Sequence, residues 1–164
     1  MTDFRSLITI LEARQGSKIE LEKLPYKSSD LEPVLSSESI DFHYGTLARG
    51  YVDRYNSEEG DSDFNYAGAI LHNIYFPQLM PAKNSNKPLG KAKTIIDDKY
   101  GSFEDFKEKF AEAAMGLQGS GWVYMSKNGD IKTIKNHAVR NDIAMLVDWW
   151  EHAFVTDYNL YKDM

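Results

Sequence analysis

Asp148-Trp149-Trp150-Glu151-His152-Ala153-Phe154 follows a short apolar run, Ile143 to Val147, that suits a buried strand. The run ends by delivering Asp148, a carboxylate that is costly to bury unless it is paired or bound to a metal. His152 lies four residues further on. One carboxylate oxygen and one imidazole nitrogen can therefore meet on the same ion. On local grounds alone Asp148 could instead cap a final helix, and the tryptophans could simply be core. The chain has three other histidines, His43, His72 and His137. Taken singly, each is more simply a satisfied core residue than a ligand.

Working back from this stretch, Trp122 to Ser126 is strand-like, Asn128-Gly129 is a hairpin turn, and Ile131 to Lys135 forms the return strand. Before the strands, Phe103, Phe106, Phe110, Ala113, Ala114 and Leu117 recur at helical spacing, opened by Ser102 and Asp105 as a capping box. Another helix is expected near 91–100. Residues 80–90 carry Pro81, Asn84, Pro88 and Gly90 and mark the best internal boundary. On their N-terminal side, a helix from about residue 37 to Asn56, capped by Ser36 or Ser37, contains His43 and Tyr51. After the turn Glu58-Glu59-Gly60-Asp61, a second helix carries Phe64, Ala67, Leu71, Ile74 and Tyr75 with His72 inside it, and Pro77 ends it. Two helices joined this closely predict an antiparallel hairpin. Gly16 to Pro25 reads as a charged linker. Phe4, Leu7, Ile8 and Leu11 form a short amphipathic helix over residues 2–14, which must dock on its own domain or on a partner.

With 164 residues, 42% hydrophobic and 13% aromatic, the chain can bury a substantial core. Its net charge of −6 argues against nucleic-acid binding. The lack of cysteine excludes disulfides, iron–sulfur clusters and thiolate zinc sites, leaving His, Asp and Glu as metal ligands. No window approaches a membrane span, and the N-terminus is a poor signal peptide. The expectation is a cytoplasmic protein without membrane or nucleic-acid partners.

From Leu24-Pro25-Tyr26 to the C-terminus, several spaced blocks resemble the iron/manganese superoxide dismutases. The closing stretch is similar to that family's Asp-x-Trp-Glu-His-Ala-Tyr signature. Leu31-Glu32-Pro33 looks like its N-terminal segment. Ile40-Asp41-Phe42-His43 with Tyr51-Val52 resembles its first helix, and Phe64-Asn65-Tyr66-Ala67-Gly68 through Leu71-His72-Asn73-Ile74-Tyr75-Phe76 resembles its second. Gly101-Ser102-Phe103 and Gly119-Ser120-Gly121-Trp122 match two further blocks. The resemblance implies His43, His72, Asp148 and His152 as ligands of one iron ion per chain, with manganese as the alternative. It implies His137 as the hydrogen-bond partner of metal-bound solvent, Tyr51 as guard of the substrate entrance, and Trp122, Trp150 and Phe76 as an apolar wall. The implied activity is antioxidant disproportionation of superoxide, in a homodimer bridged near Glu151.

The expected class is α+β: an appendage over 1–20, an antiparallel helical hairpin domain over 21–90, and an α/β domain over 91–164 with a small three-stranded antiparallel sheet. Some positions depart from the family pattern. Leu47 stands where a second His is usual, Val155 where its cross-dimer Tyr partner is usual, and Thr46 where a basic residue is common. Arg49 or Arg140 would have to replace that basic residue in steering the substrate. The family also continues past Tyr158-Asn159 into an Arg-Arg-Pro-type turn and a further helix, whereas this sequence reaches only Met164. It therefore reads as a truncated, divergent member of reduced activity, with the N-terminal amphipathic segment covering the exposed core. A competing reading keeps the fold as a binding or structural module with little or no catalysis. A non-haem oxygenase using two His and one carboxylate is a third reading, disfavoured because four protein ligands leave too few open positions.

Overall fold

The computed structural model describes residues 18–83 and 86–158. The amphipathic segment over 2–14 and the end of the chain beyond Tyr158 lie outside the described residues. Ser36 caps the first helix, its hydroxyl oxygen accepting from the Ser39 N–H. Helix α1 (Ser37–Phe42) passes into a π-helical stretch, His43–Ala48, and on into α2 (Arg49–Asn56). The helix expected over 37–56 is present, but its hydrogen-bonding pitch changes at His43. Such wide turns occur often at functional sites, and side-chain periodicity does not reveal them.

Asp61 caps α3 (Ser62–Tyr75), its carboxylate accepting from the Phe64 N–H at 2.9 Å. Pro77 falls in the 3-10 turn Phe76–Gln78 that ends this rod. Helix α3 packs against α2 and the π-helical stretch, forming the helical hairpin. The segment before the hairpin, expected as a charged linker, is a strap without helix or strand from residue 18 to Tyr26. Leu21 is buried in the main core, and Asn56 and Asn73 each pair with strap backbone on both a donor and an acceptor.

Helices α4 (Gly90–Tyr100) and α5 (Phe103–Met115) precede the sheet, with Ser102 capping α5 as its sequence predicts. Strands β1 (Gly121–Ser126), β2 (Ile131–Lys135) and β3 (Ile143–Asp148) form an antiparallel sheet in the order β2-β1-β3. Gly129, at φ 82°, supplies the left-handed residue of the β1–β2 turn. Register decides which side chains reach which layer. Trp122 lies opposite both Ile134 and Asp148, and Tyr124 lies opposite Leu146. Trp122, Tyr124, Ile134 and Leu146 join the core with Ala69, Leu71, Tyr75 and Phe76 of the hairpin side. Met125, with Ile131 and Met145 packed against it, instead meets Ile96 and Phe106 of α4 and α5. The sheet is thus covered by helices on both faces, and Asp148 ends the edge strand β3. Among the described residues no helix is long and apolar enough to cross a membrane.

Candidate metal centre

Four side chains from four separate elements converge between the hairpin and the sheet. His43 opens the π-helical stretch, His72 lies in α3, Asp148 ends β3, and His152 sits in the 3-10 turn Glu151–Ala153. His43, His72 and Asp148 are 1%, 0% and 3% exposed. His43 Nε2 lies 3.1 Å from His72 Nε2. Asp148 Oδ2 lies 3.2 Å from His43 Nε2, 3.6 Å from His72 Nε2 and 3.4 Å from His152 Nε2. The four donor atoms all fall within 4.8 Å of one another. Ligands about 2.1 Å from a common ion stand about 3 Å apart when adjacent and about 4.2 Å when opposite. The cluster has those dimensions.

The local bonds of each residue leave one atom for the centre. His72 Nδ1 donates to the Gly68 carbonyl at 2.7 Å, which turns a bare Nε2 inward. Asp148 Oδ1 accepts from the Trp150 N–H at 2.9 Å and leaves Oδ2 inward. Asp148 Oδ2 and His152 Nε2 are both buried without a hydrogen-bond partner. Two such orphans facing one another in a dry interior would be expensive unless a cation lay between them.

The electrostatics point the same way. Burial pushes the His43 and His72 imidazoles down, His72 to about 3, although Asp148 opposes the shift. Burial would raise Asp148, but its close contacts with the His152 and His43 imidazoles outweigh it and hold the carboxyl below its usual range. At neutral pH this gives an anionic carboxylate beside neutral His43 and His72, all with lone pairs available. A buried anion of this kind calls for a metal cation. A mixed nitrogen and oxygen donor set without thiolate suits iron or manganese.

Around these four stand the other expected residues. Trp122 Nε1 donates to His137 Nδ1 at 3.1 Å, so the neutral His137 ring carries its proton on Nε2, which is buried and unpartnered. Burial lowers His137 to about 4 and keeps it neutral. The His137 ring stacks on the Trp150 indole, with centroids 4.6 Å apart at 15°, and Trp150 stacks in turn on His152. Tyr51 stacks on His72 at 5.3 Å and meets the edge of His137 at 4.8 Å. Burial raises the Tyr51 phenol, aided by Asp148, so its hydroxyl stays protonated. Phe76 and Trp122 are buried against the His72 ring, as the apolar wall requires.

Glu151 is exposed and accepts from the Ser120 hydroxyl at 3.2 Å. Val155 is also exposed, whereas Leu47 is half-buried. Arg140 lines an open cleft beside His137, together with Lys135, Asn136 and Asp61. Two features lie beyond residue type. Trp122 is wall by its type alone, yet its N–H fixes the His137 tautomer, a pairing that appears only in the folded sheet. Gly68 was read only as part of a motif. A Cβ there would come within 2.8 Å of the Tyr51 ring, so the glycine makes room for it.

Residues 18–64 match a family model described as the α-hairpin domain of the iron/manganese superoxide dismutases, and residues 88–164 match the model of their C-terminal domain. The chain is 39% identical to a superoxide dismutase [Fe] of Bacteroides fragilis, over 85% of this chain and 86% of that protein. It is 38% identical to a superoxide dismutase [Mn/Fe] of Porphyromonas gingivalis over the same shares. It is 35% identical to a superoxide dismutase [Fe] of Sulfolobus acidocaldarius, over 88% of this chain and 83% of that protein.

Proposed function

The chain belongs to the iron/manganese superoxide dismutase family, and from that premise we propose that it disproportionates superoxide to oxygen and hydrogen peroxide at one metal ion held by His43, His72, Asp148 and His152. The observation that carries this reading is the buried, unpartnered pair of Asp148 Oδ2 and His152 Nε2 facing two imidazole nitrogens. The chemistry such an ion supplies is alternation between its +2 and +3 states, so that one superoxide is oxidised and a second is reduced with uptake of two protons.

The protein's own residues do the rest. Trp122 holds His137 in the tautomer that keeps a proton on Nε2, as a donor toward the centre. Tyr51, neutral and packed on His72, offers a hydroxyl beside the centre, where it orients solvent and admits small anions. Phe76, Trp122 and Trp150 exclude bulk water, which strengthens every polar interaction inside. We assign iron as the metal because His occupies position 137, with manganese as the alternative. We further read the protein as a cytoplasmic homodimer with Glu151 at the interface, near exposed Val155. The division into an appendage over 1–20, a hairpin domain over 21–90 and an α/β domain over 91–164 belongs to the same reading. Metal analysis of the purified protein with a superoxide-consumption assay tests the function. One iron or manganese per chain with turnover is expected; a folded protein with neither metal nor turnover would overturn it.

A further inference from the structure

The strap over residues 18–26 takes no part in the site as described, yet it grips both helical segments that carry histidines. Glu22 is the point of contact. Its N–H donates to Asn73 Oδ1 at 2.9 Å, and its carbonyl accepts from the Tyr44 hydroxyl at 2.9 Å. Tyr44 directly follows His43, and Asn73 directly follows His72. Asn73 Nδ2 also donates to the Glu20 carbonyl at 2.8 Å, so this one amide pairs with the strap as a neighbouring strand would. The Tyr26 hydroxyl adds a bond to the Phe76 carbonyl at 2.9 Å, and Leu21 is buried in the main core.

The His72 ring is oriented within its own helix by the bond from its Nδ1 to the Gly68 carbonyl. A helix cannot by itself fix the distance to its neighbour at one chosen level. Metal ligation is sensitive to that distance, because bond lengths tolerate only about 0.2 Å. We propose that the backbone of Glu22 is a cross-tie that sets the spacing between His43 and His72, and that Tyr44 and Asn73 are positioning residues for the metal centre. This rests on the reading of those two histidines as ligands.

The molecule contains its own control. Asn56 grips the same strap, bonding to the N–H and carbonyl of Ile19 at 2.8 Å each. It lies 13 residues beyond His43, about 20 Å along the helix at 1.5 Å per residue. Loosening the strap there costs stability without touching the histidine level.

The test uses the full chain loaded with iron, with Tyr44→Phe, Asn73→Ala and Asn56→Ala as variants. The readouts are the rate of iron loss to excess chelator and the electron paramagnetic resonance spectrum of the ferric ion. Tyr44→Phe removes only a half-exposed hydroxyl, so it keeps the test open if Asn73→Ala does not fold. The tie predicts iron loss about fivefold faster in Tyr44→Phe, the factor one hydrogen bond contributes, and at least as much in Asn73→Ala, which loses two. It also predicts an altered ferric spectrum in both, and wild-type rate and spectrum in Asn56→Ala. Iron loss and spectra unchanged in Tyr44→Phe and Asn73→Ala would overturn the tie and leave the dismutase reading intact. A wild-type protein that takes up no iron or manganese would overturn both together.

Discussion

The Trp122 indole N–H donates to His137 Nδ1 at 3.1 Å, and this one bond decides which nitrogen of His137 carries the ring proton. Because Nδ1 is occupied as an acceptor, the proton rests on Nε2. Trp122→Phe removes the donor and frees the ring to change tautomer. Metal content per chain should stay at the wild-type level, while superoxide turnover falls about tenfold, the scale typical of lost ligand-supporting contacts. Turnover equal to wild type would remove the tautomer lock from the account.

Gly68→Ala separates two opposed effects. Helix propensity alone favours alanine over glycine by about 1 kcal/mol. The new Cβ would stand 2.8 Å from Tyr51 Cγ and Cδ1, inside any real contact distance. Overpacking of a buried ring costs about 1–3 kcal/mol, so the expected sign is destabilisation, read as a lower denaturant midpoint. Tyr51 cannot retreat freely, since His72 and His137 flank it. A raised midpoint would show that the Tyr51 ring has slack.

Asp148→Asn should weaken both forms of the protein. Without metal, the surrounding imidazoles hold the buried carboxyl below its usual range, so the anion favours the folded state and removing its charge should lower the melting temperature. With metal, the variant should lose the stabilisation that binding confers on the wild type. Melting temperatures with and without added iron check both halves. A variant that still gains stability from iron would show that Asp148 is dispensable as a ligand.

Acid stability follows from the lowered imidazoles. His72 at about 3 and His137 at about 4 bind a proton less readily in the folded chain than in the unfolded chain, where histidine titrates at about 6.5. Between those values the unfolded state holds more protons, so stability rises with pH across the window and is lost as pH falls through it. The metal-free protein should therefore weaken steadily from about pH 6.5 to about pH 4. Denaturant melts across that range check it; a flat profile would mean that these rings stay solvated when folded.

Much of this was legible in the residues. The Ser36 and Ser102 caps, Pro77, Asn128-Gly129 and the apolar run before Asp148 each announce a local structure through one physical preference, and each element forms where that preference puts it. What escaped depends on distance across the fold. The π-helical stretch at His43 leaves no periodic trace. Gly16 to Pro25 reads as a linker because charges interrupt its apolar residues, Ile19, Leu21 and Leu24, before any run forms, and the hold on this strap comes from Asn56 and Asn73, far away in sequence. The Trp122 donor and the room beside Gly68 emerge only once register and helix packing bring their partners close.

The most direct test is a crystal of the iron-loaded protein with an anomalous difference map at the iron edge. The account predicts one strong peak per chain within bonding distance of His43 Nε2, His72 Nε2, Asp148 Oδ2 and His152 Nε2. Iron found elsewhere, or these four side chains closing on one another around no peak, would contradict it.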